Sequence, residues 1–197
     1  QMITLDLDTF EQQLWPHGSN RDVWMIIDPA RDRKIYWDLT NSHLDYSCLY
    51  SGDLSPAIEA VAPHLIQLEY RDSSTRDLIK RAWGKSWGVF LTCESSMHRL
   101  RRHLRTLLIV NDWRGKKLLF RFYHPRVLRV FAPTCRPDEL KLLFGPIKRF
   151  ATENDSGERL LTFDFSRGSL MSGAIDVAVA QSNLSGGTTN AKRQVSQ

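Results

Sequence analysis

Arg121, Tyr123, His124, Pro125 and Arg126 stand within the single run FRFYHPR, at the point where a predicted strand hands over to a helix. Such a cluster could serve catalysis, nucleic-acid binding or the docking of a partner. A general base needs an acid or a nucleophile within hydrogen-bond reach. The chain has no GxSxG, HExxH or GxxxxGK[ST] motif, and no nucleophile motif surrounds Cys48, Cys93 or Cys135. His98 and His103 are five positions apart and so do not share a helical face. No catalytic, cofactor-binding or metal-ligating residue is assigned on this basis, and the chain is expected not to be an enzyme. The three cysteines are widely spaced and form no CxxC, which implies neither a disulfide framework nor a zinc site. A reducing, cytoplasmic compartment is expected.

A second constellation lies just upstream. The spacing predicts a helix from Ser95 to about Val110, with Met97, Leu100, Leu104, Leu107 and Leu108 as its core stripe. His98, Arg101, Arg102 and Arg105 project from the opposite face. They could meet carboxylates on a protein partner, since guanidinium forks suit bidentate pairing. They could also track phosphates, with salt-dependent binding. The face lacks the aromatic residues on which bases would stack, so an acidic partner, on another protein or within this chain, is preferred, plain solvation comes next, and nucleic acid is the alternative binding role. Trp83 and Trp87, in WGKSWG, either plug the edge of the core or stand exposed as partner anchors.

The elements that position these residues follow from apolar patterning. Val23–Asp28, His64–Leu68 and Trp87–Thr92 are short apolar runs that predict buried strands. Lys117–Tyr123 predicts a fourth, with Leu119, Arg121 and Tyr123 on one face; a buried Arg121 there needs a carboxylate such as Asp28, Glu94 or Asp138. Helices are predicted over 4–14, 33–43, from Ser55–Pro56, and over Thr75–Trp83 with Thr75 as its cap. Two more start at Pro125 and Pro137, the second ending at Gly145. A last strand pair, Ile147–Thr152 and Arg159–Phe165, flanks a turn at Asn154–Gly157, and another turn is read at Trp15–Asn20. The fold class is α/β: a single mixed-sheet domain over residues 1–165 with helices packed on it. A Ser/Gly/Thr-rich tail over 166–197 is expected to be disordered.

At 197 residues, 42% hydrophobic and 25% charged, the chain has room for one domain with a real core. The net charge of +5 makes acidic partners plausible. No run of roughly 18 apolar residues occurs, and no charged segment followed by an apolar one opens the sequence, so no membrane span or secretory leader is expected.

The blocks APHLIQLE, WGKSWGVFL, LRRHLRTLLIV, GKKLLFRFYHPRVLRVFAPTC and DELKLLFGPI resemble the adaptor-chaperones of bacterial type VI secretion. Those proteins are built on a widespread domain of unknown function (the 4123 type). The resemblance covers roughly Val23 to Phe165, and FRFYHPRVLR is its most specific part. It implies a cytoplasmic, non-enzymatic protein without cofactors, which binds a toxic effector and helps load it onto the trimeric spike protein VgrG. Arg121, Tyr123, Pro125 and Arg126 match the family signature. His124 stands where the family usually has Asp, an Asp that would cap the following helix; His is a poorer cap by about 1 kcal/mol. Many relatives also carry a longer C-terminal helical lobe where this chain has its polar segment.

Overall fold

Every position of β1 (Val23–Ile27) is apolar because the strand has no face turned to water. The computed structural model describes residues 4–16 and 23–179. In it, Val23, Met25 and Ile27 enter one hydrophobic cluster, while Trp24 and Ile26 enter another on the opposite face. Helices α1 (Leu7–Leu14), α2 (Arg33–Thr40) and α4 (Ser73–Ala82) cover the first face through Phe10, Leu39 and Ile79. Helices α5 (Met97–Leu107), α6 (Pro125–Phe131) and α7 (Pro137–Phe144) cover the second through Leu104, Leu128 and Phe144. The short α3 (Pro56–Glu59) buries nothing.

The sheet runs β2 (Tyr46–Cys48), β3 (His64–Leu68), β1, β4 (Gly88–Thr92), β7 (Arg149–Glu153), β8 (Arg159–Ser166), β9 (Ser169–Asp176). The strand–helix–strand alternation of an α/β fold is present, and β3–α4–β4 is a crossover between strands of like direction. However, β1 lies between β3 and β4 and runs against both. All neighbours are consequently antiparallel, and the mixed strand directions expected of the sheet are absent from its ladders.

Several boundaries differ from the sequence expectation for local reasons. Helix α4 is capped by Asp72, whose Oδ2 accepts from the Thr75 amide at 2.8 Å, and not by Thr75. Thr75 is buried, and its hydroxyl accepts from the Glu69 amide at 3.0 Å. Ser96 rather than Ser95 caps α5, which stops at Leu107. The β-branched pair Ile109–Val110 leaves the helix for β5 (Ile109–Asn111), paired with β6 (Lys117–Leu119) in a separate hairpin. Asp112 Oδ1 closes its turn by accepting from the amides of Arg114 and Lys116, both at 2.8 Å. The predicted strand 117–123 therefore ends at Leu119. The chain then turns, the His124 amide donating to the Arg121 carbonyl at 3.0 Å, and Phe122 and Tyr123 are both buried instead of alternating.

The polar segment from Ser166, expected to be a disordered tail, instead forms β9 as far as Asp176. It pairs with β8 along its whole length through a tight turn at Arg167–Gly168, both at positive φ. Small and polar residues suit an edge strand whose outer side meets solvent, which is why composition alone misplaces it. The turn expected over 17–20 and the tail over 180–197 lie outside the described residues.

Candidate partner-docking site

Half of the basic face of α5 is turned inward. Arg101 Nε donates to the Cys48 carbonyl at 2.7 Å, and Arg105 donates from Nε to Leu49 at 2.8 Å and from Nη2 to Tyr50 at 2.5 Å. These carbonyls belong to the end of edge strand β2 and the residues after it, so the guanidinium groups supply partners for backbone acceptors. Burial lowers the Arg101 pKa, with the neighbouring charge of Arg105 adding to it. Of the four groups expected to meet a partner together, His98 and Arg102 face solvent, while Arg101 and Arg105 fasten α5 to the 48–50 segment.

Trp83 and Trp87 are core residues, 7% and 6% exposed, and not surface anchors. Trp83 meets Phe10 edge-on at 5.1 Å and donates from Nε1 to the Gly157 carbonyl at 2.7 Å. The loop between the two tryptophans needs positive φ at Gly84 and Ser86. Glu153 holds it there: its carboxylate accepts from the Gly84 amide at 2.6 Å and the Ser86 amide at 2.7 Å. Burial is the main influence on Glu153 and raises its pKa against those two hydrogen bonds.

The signature cluster is an ion-paired brace. Among the three carboxylates open to Arg121 from sequence, the partner is Asp28, at the end of β1 and 1% exposed. The Arg121 pKa is raised: burial alone would lower it, but the hydrogen bond and charge of Asp28 outweigh that. Tyr123 lies buried beside them, its pKa pushed up by burial first and then by the charge of Asp28. Tyr50 packs against the same cluster as Tyr123, and burial raises its pKa as well. Since Arg105 holds the Tyr50 carbonyl, the signature and the basic helix form one network joining β1, the 48–50 segment and the entry to α6.

His124 caps α6. Its Nδ1 accepts from the Arg126 amide at 3.2 Å, and Pro125 occupies the first position of α6. Burial lowers its pKa, helped by the charges of Arg31 and Arg121, and this favours the neutral ring that can accept. His64 and His103 are lowered too, chiefly by burial. All three folded-state pKa values lie below the unfolded value of about 6.5, so between the two the unfolded chain binds more protons. The stability these histidines contribute is complete above about pH 6.5 and is lost as the pH falls toward the folded-state values. Urea midpoints should therefore drop between about pH 7 and about pH 5.5. His124→Asp, which keeps a cap acceptor that does not titrate there, should drop less; an equal drop would remove His124 from the account.

Beside this brace the surface is apolar and open. A groove of about 600 Å³ is lined by Phe120, Arg121, His124, Val127, Val130 and Phe131, with Val130 65% exposed. The adjoining hairpin exposes Ile109, Val110, Leu118 and Leu119. Adjacent residues in a strand point to opposite faces, so both faces of the hairpin are uncovered. At its tip Trp113 is 85% exposed, with the Arg114 guanidinium 4.3 Å from the ring centroid. Sequence reasoning assigns Ile109 and Val110 to the helix and misses this surface. The signal was present: IVN and KLL flank DWRGK, two short β-prone runs around a Gly-containing loop.

Among the described residues, no group of three or more His, Cys, Asp or Glu side chains could hold a metal ion, and the three cysteines are free. No helix among them is long and apolar enough to cross a membrane. The molecule is a layered α/β domain with an ion-paired brace turned inward and an apolar groove and hairpin turned outward. The chain belongs to the family described as a domain of unknown function, DUF4123, whose model matches residues 23–142, more than half of the sequence. That span runs from β1 into α7 and includes the brace, the groove and the hairpin. No curated protein and no solved structure matches the chain.

Proposed function

We propose that this chain is a cytoplasmic, non-enzymatic adaptor-chaperone that binds a type VI secretion effector and assists its loading onto the spike protein VgrG. The observation that carries the reading is the outward apolar surface, the groove at Phe120–Phe131 together with the uncovered hairpin, set directly against the signature cluster. Exposed apolar area of this kind, rimmed by polar groups, suits the docking of a protein partner. The blocks that resemble secretion adaptors lie largely within the span of the family match. With Arg101 and Arg105 bound to backbone carbonyls, a continuous phosphate track on α5 is not favoured, and nucleic acid is set aside.

Co-expression with the effector encoded beside it is expected to raise the effector's soluble yield and give a co-eluting complex. The spike should join that complex when all three are present. Failure of the chain to co-elute with either partner would sink the reading.

A further inference from the structure

We infer that the β5–β6 hairpin receives its partner by strand addition, and that the added strand is an extended acidic segment with an apolar side chain seated in the adjoining groove. The inference rests on the adaptor reading and specifies how the partner is held. The Phe120 amide donates to the Leu108 carbonyl at 2.8 Å and the Asp112 amide to the Lys116 carbonyl at 2.9 Å. Antiparallel ladders alternate bonded and non-bonded pairs. Ile109–Leu119 and Asn111–Lys117 are thus the non-bonded pairs, with their amides and carbonyls pointing away from the hairpin. No third strand pairs with either edge among the described residues. An extended segment can satisfy those groups while its alternate side chains meet the exposed Ile109, Val110, Leu118 and Leu119.

Charge selects the segment. Arg114, Lys116 and Lys117 are exposed around the tip, and Arg126 is exposed at the groove. The acidic residue of the turn, Asp112, is engaged with two amides. The rim is therefore cationic, and an acidic strand complements it. A second copy of the hairpin would bring like-charged rims together. A lipid surface would leave the outward amides and carbonyls without partners in hydrocarbon, where such groups are costly. A protein strand is the occupant that satisfies backbone, apolar surface and charge together.

The test is an array of overlapping peptides spanning the effector, probed with the full chain and followed by solution titration of the strongest binder. That peptide is expected to be acidic, with apolar residues at alternate positions. N-methylation of its alternate amides in one register should weaken binding by about tenfold or more, as should the variant Lys116→Glu/Lys117→Glu. The variant residues are exposed, so an unchanged thermal midpoint will show that the fold is intact. The inference is overturned if the selected peptides are basic or uncharged, or if N-methylation or the charge reversal leaves binding unchanged. It is equally overturned if the hairpin instead mediates a concentration-dependent dimer. Capture by phosphatidylcholine vesicles containing one quarter phosphatidylglycerol, with no peptide bound, would assign the hairpin to membranes and overturn it too. In each of these cases an effector that still co-elutes leaves the adaptor reading standing. An effector that does not co-elute at all removes both.

Discussion

Arg121→Ala is expected to destabilise the protein by about 3–5 kcal/mol, the range for stripping a buried charge of its partner. The asymmetry of the pair sets this figure. The Arg121 side chain is 39% exposed and by itself would behave as a surface group worth under about 1 kcal/mol. Asp28 is 1% exposed, and its second carboxylate oxygen has no protein partner, so losing Arg121 leaves it with nothing to offset desolvation. The pair also ties the end of β1 to the entry of α6, so the brace between them loosens with it. Denaturant unfolding measures the loss. Removing both charges in Asp28→Asn/Arg121→Met should recover most of it, because a neutral pair is far cheaper to bury than a lone carboxylate. A loss below about 1 kcal/mol for Arg121→Ala would show that water reaches Asp28 and that the brace is an ordinary surface pair.

Gly88→Ala should be worse, abolishing cooperative folding or lowering stability by more than about 4 kcal/mol. A Cβ at position 88 would sit 1.9 Å from the Ile26 carbonyl oxygen and 2.9 Å from its carbon. Both atoms are backbone of β1, so no rotamer change can relieve the contact, and moving β1 disturbs its ladders to both β3 and β4. Gly168→Ala is the control: φ there is +80°, yet nothing lies within 4 Å of the added carbon. It should lose only about 1 kcal/mol, the conformational part of the effect. Soluble yield and the thermal midpoint distinguish the two; a Gly88→Ala protein as stable as Gly168→Ala would mean that β1 can shift without loss.

Both sites show how far local pattern reaches. The runs 23–27, 64–68 and 88–92 mark strands because burial on both faces makes them predominantly apolar, with only His64, Gln67 and Thr92 as polar members. Pro125, Pro137 and Gly145 mark helix ends because each acts through its own backbone. The need of Arg121 for a carboxylate is equally legible, since desolvation acts on any buried charge. Its choice of Asp28 over Glu94 or Asp138 is not, because the pair is separated by 93 positions and meets only when β1 and the 120–124 turn converge.

The same limit governs the docking surface. Periodicity places Arg101, Arg102 and Arg105 on one side of α5 but contains nothing about the segment lying against that side. The 48–50 carbonyls arrive there through the sheet. Trp83 and Trp87 are the same indoles whether inside or out, and it is α1, bringing Phe10, that encloses Trp83. From residue type and spacing alone, then, this sequence determines a layered α/β domain, most of its strands and helix ends, and a signature that must be ion-paired. Tertiary structure alone decides that β1 inserts between β3 and β4, that half of the basic face is turned inward, and that the hairpin after α5 is left uncovered. Those outcomes depend on contacts between distant segments, whereas pattern and propensity act over a few neighbouring residues.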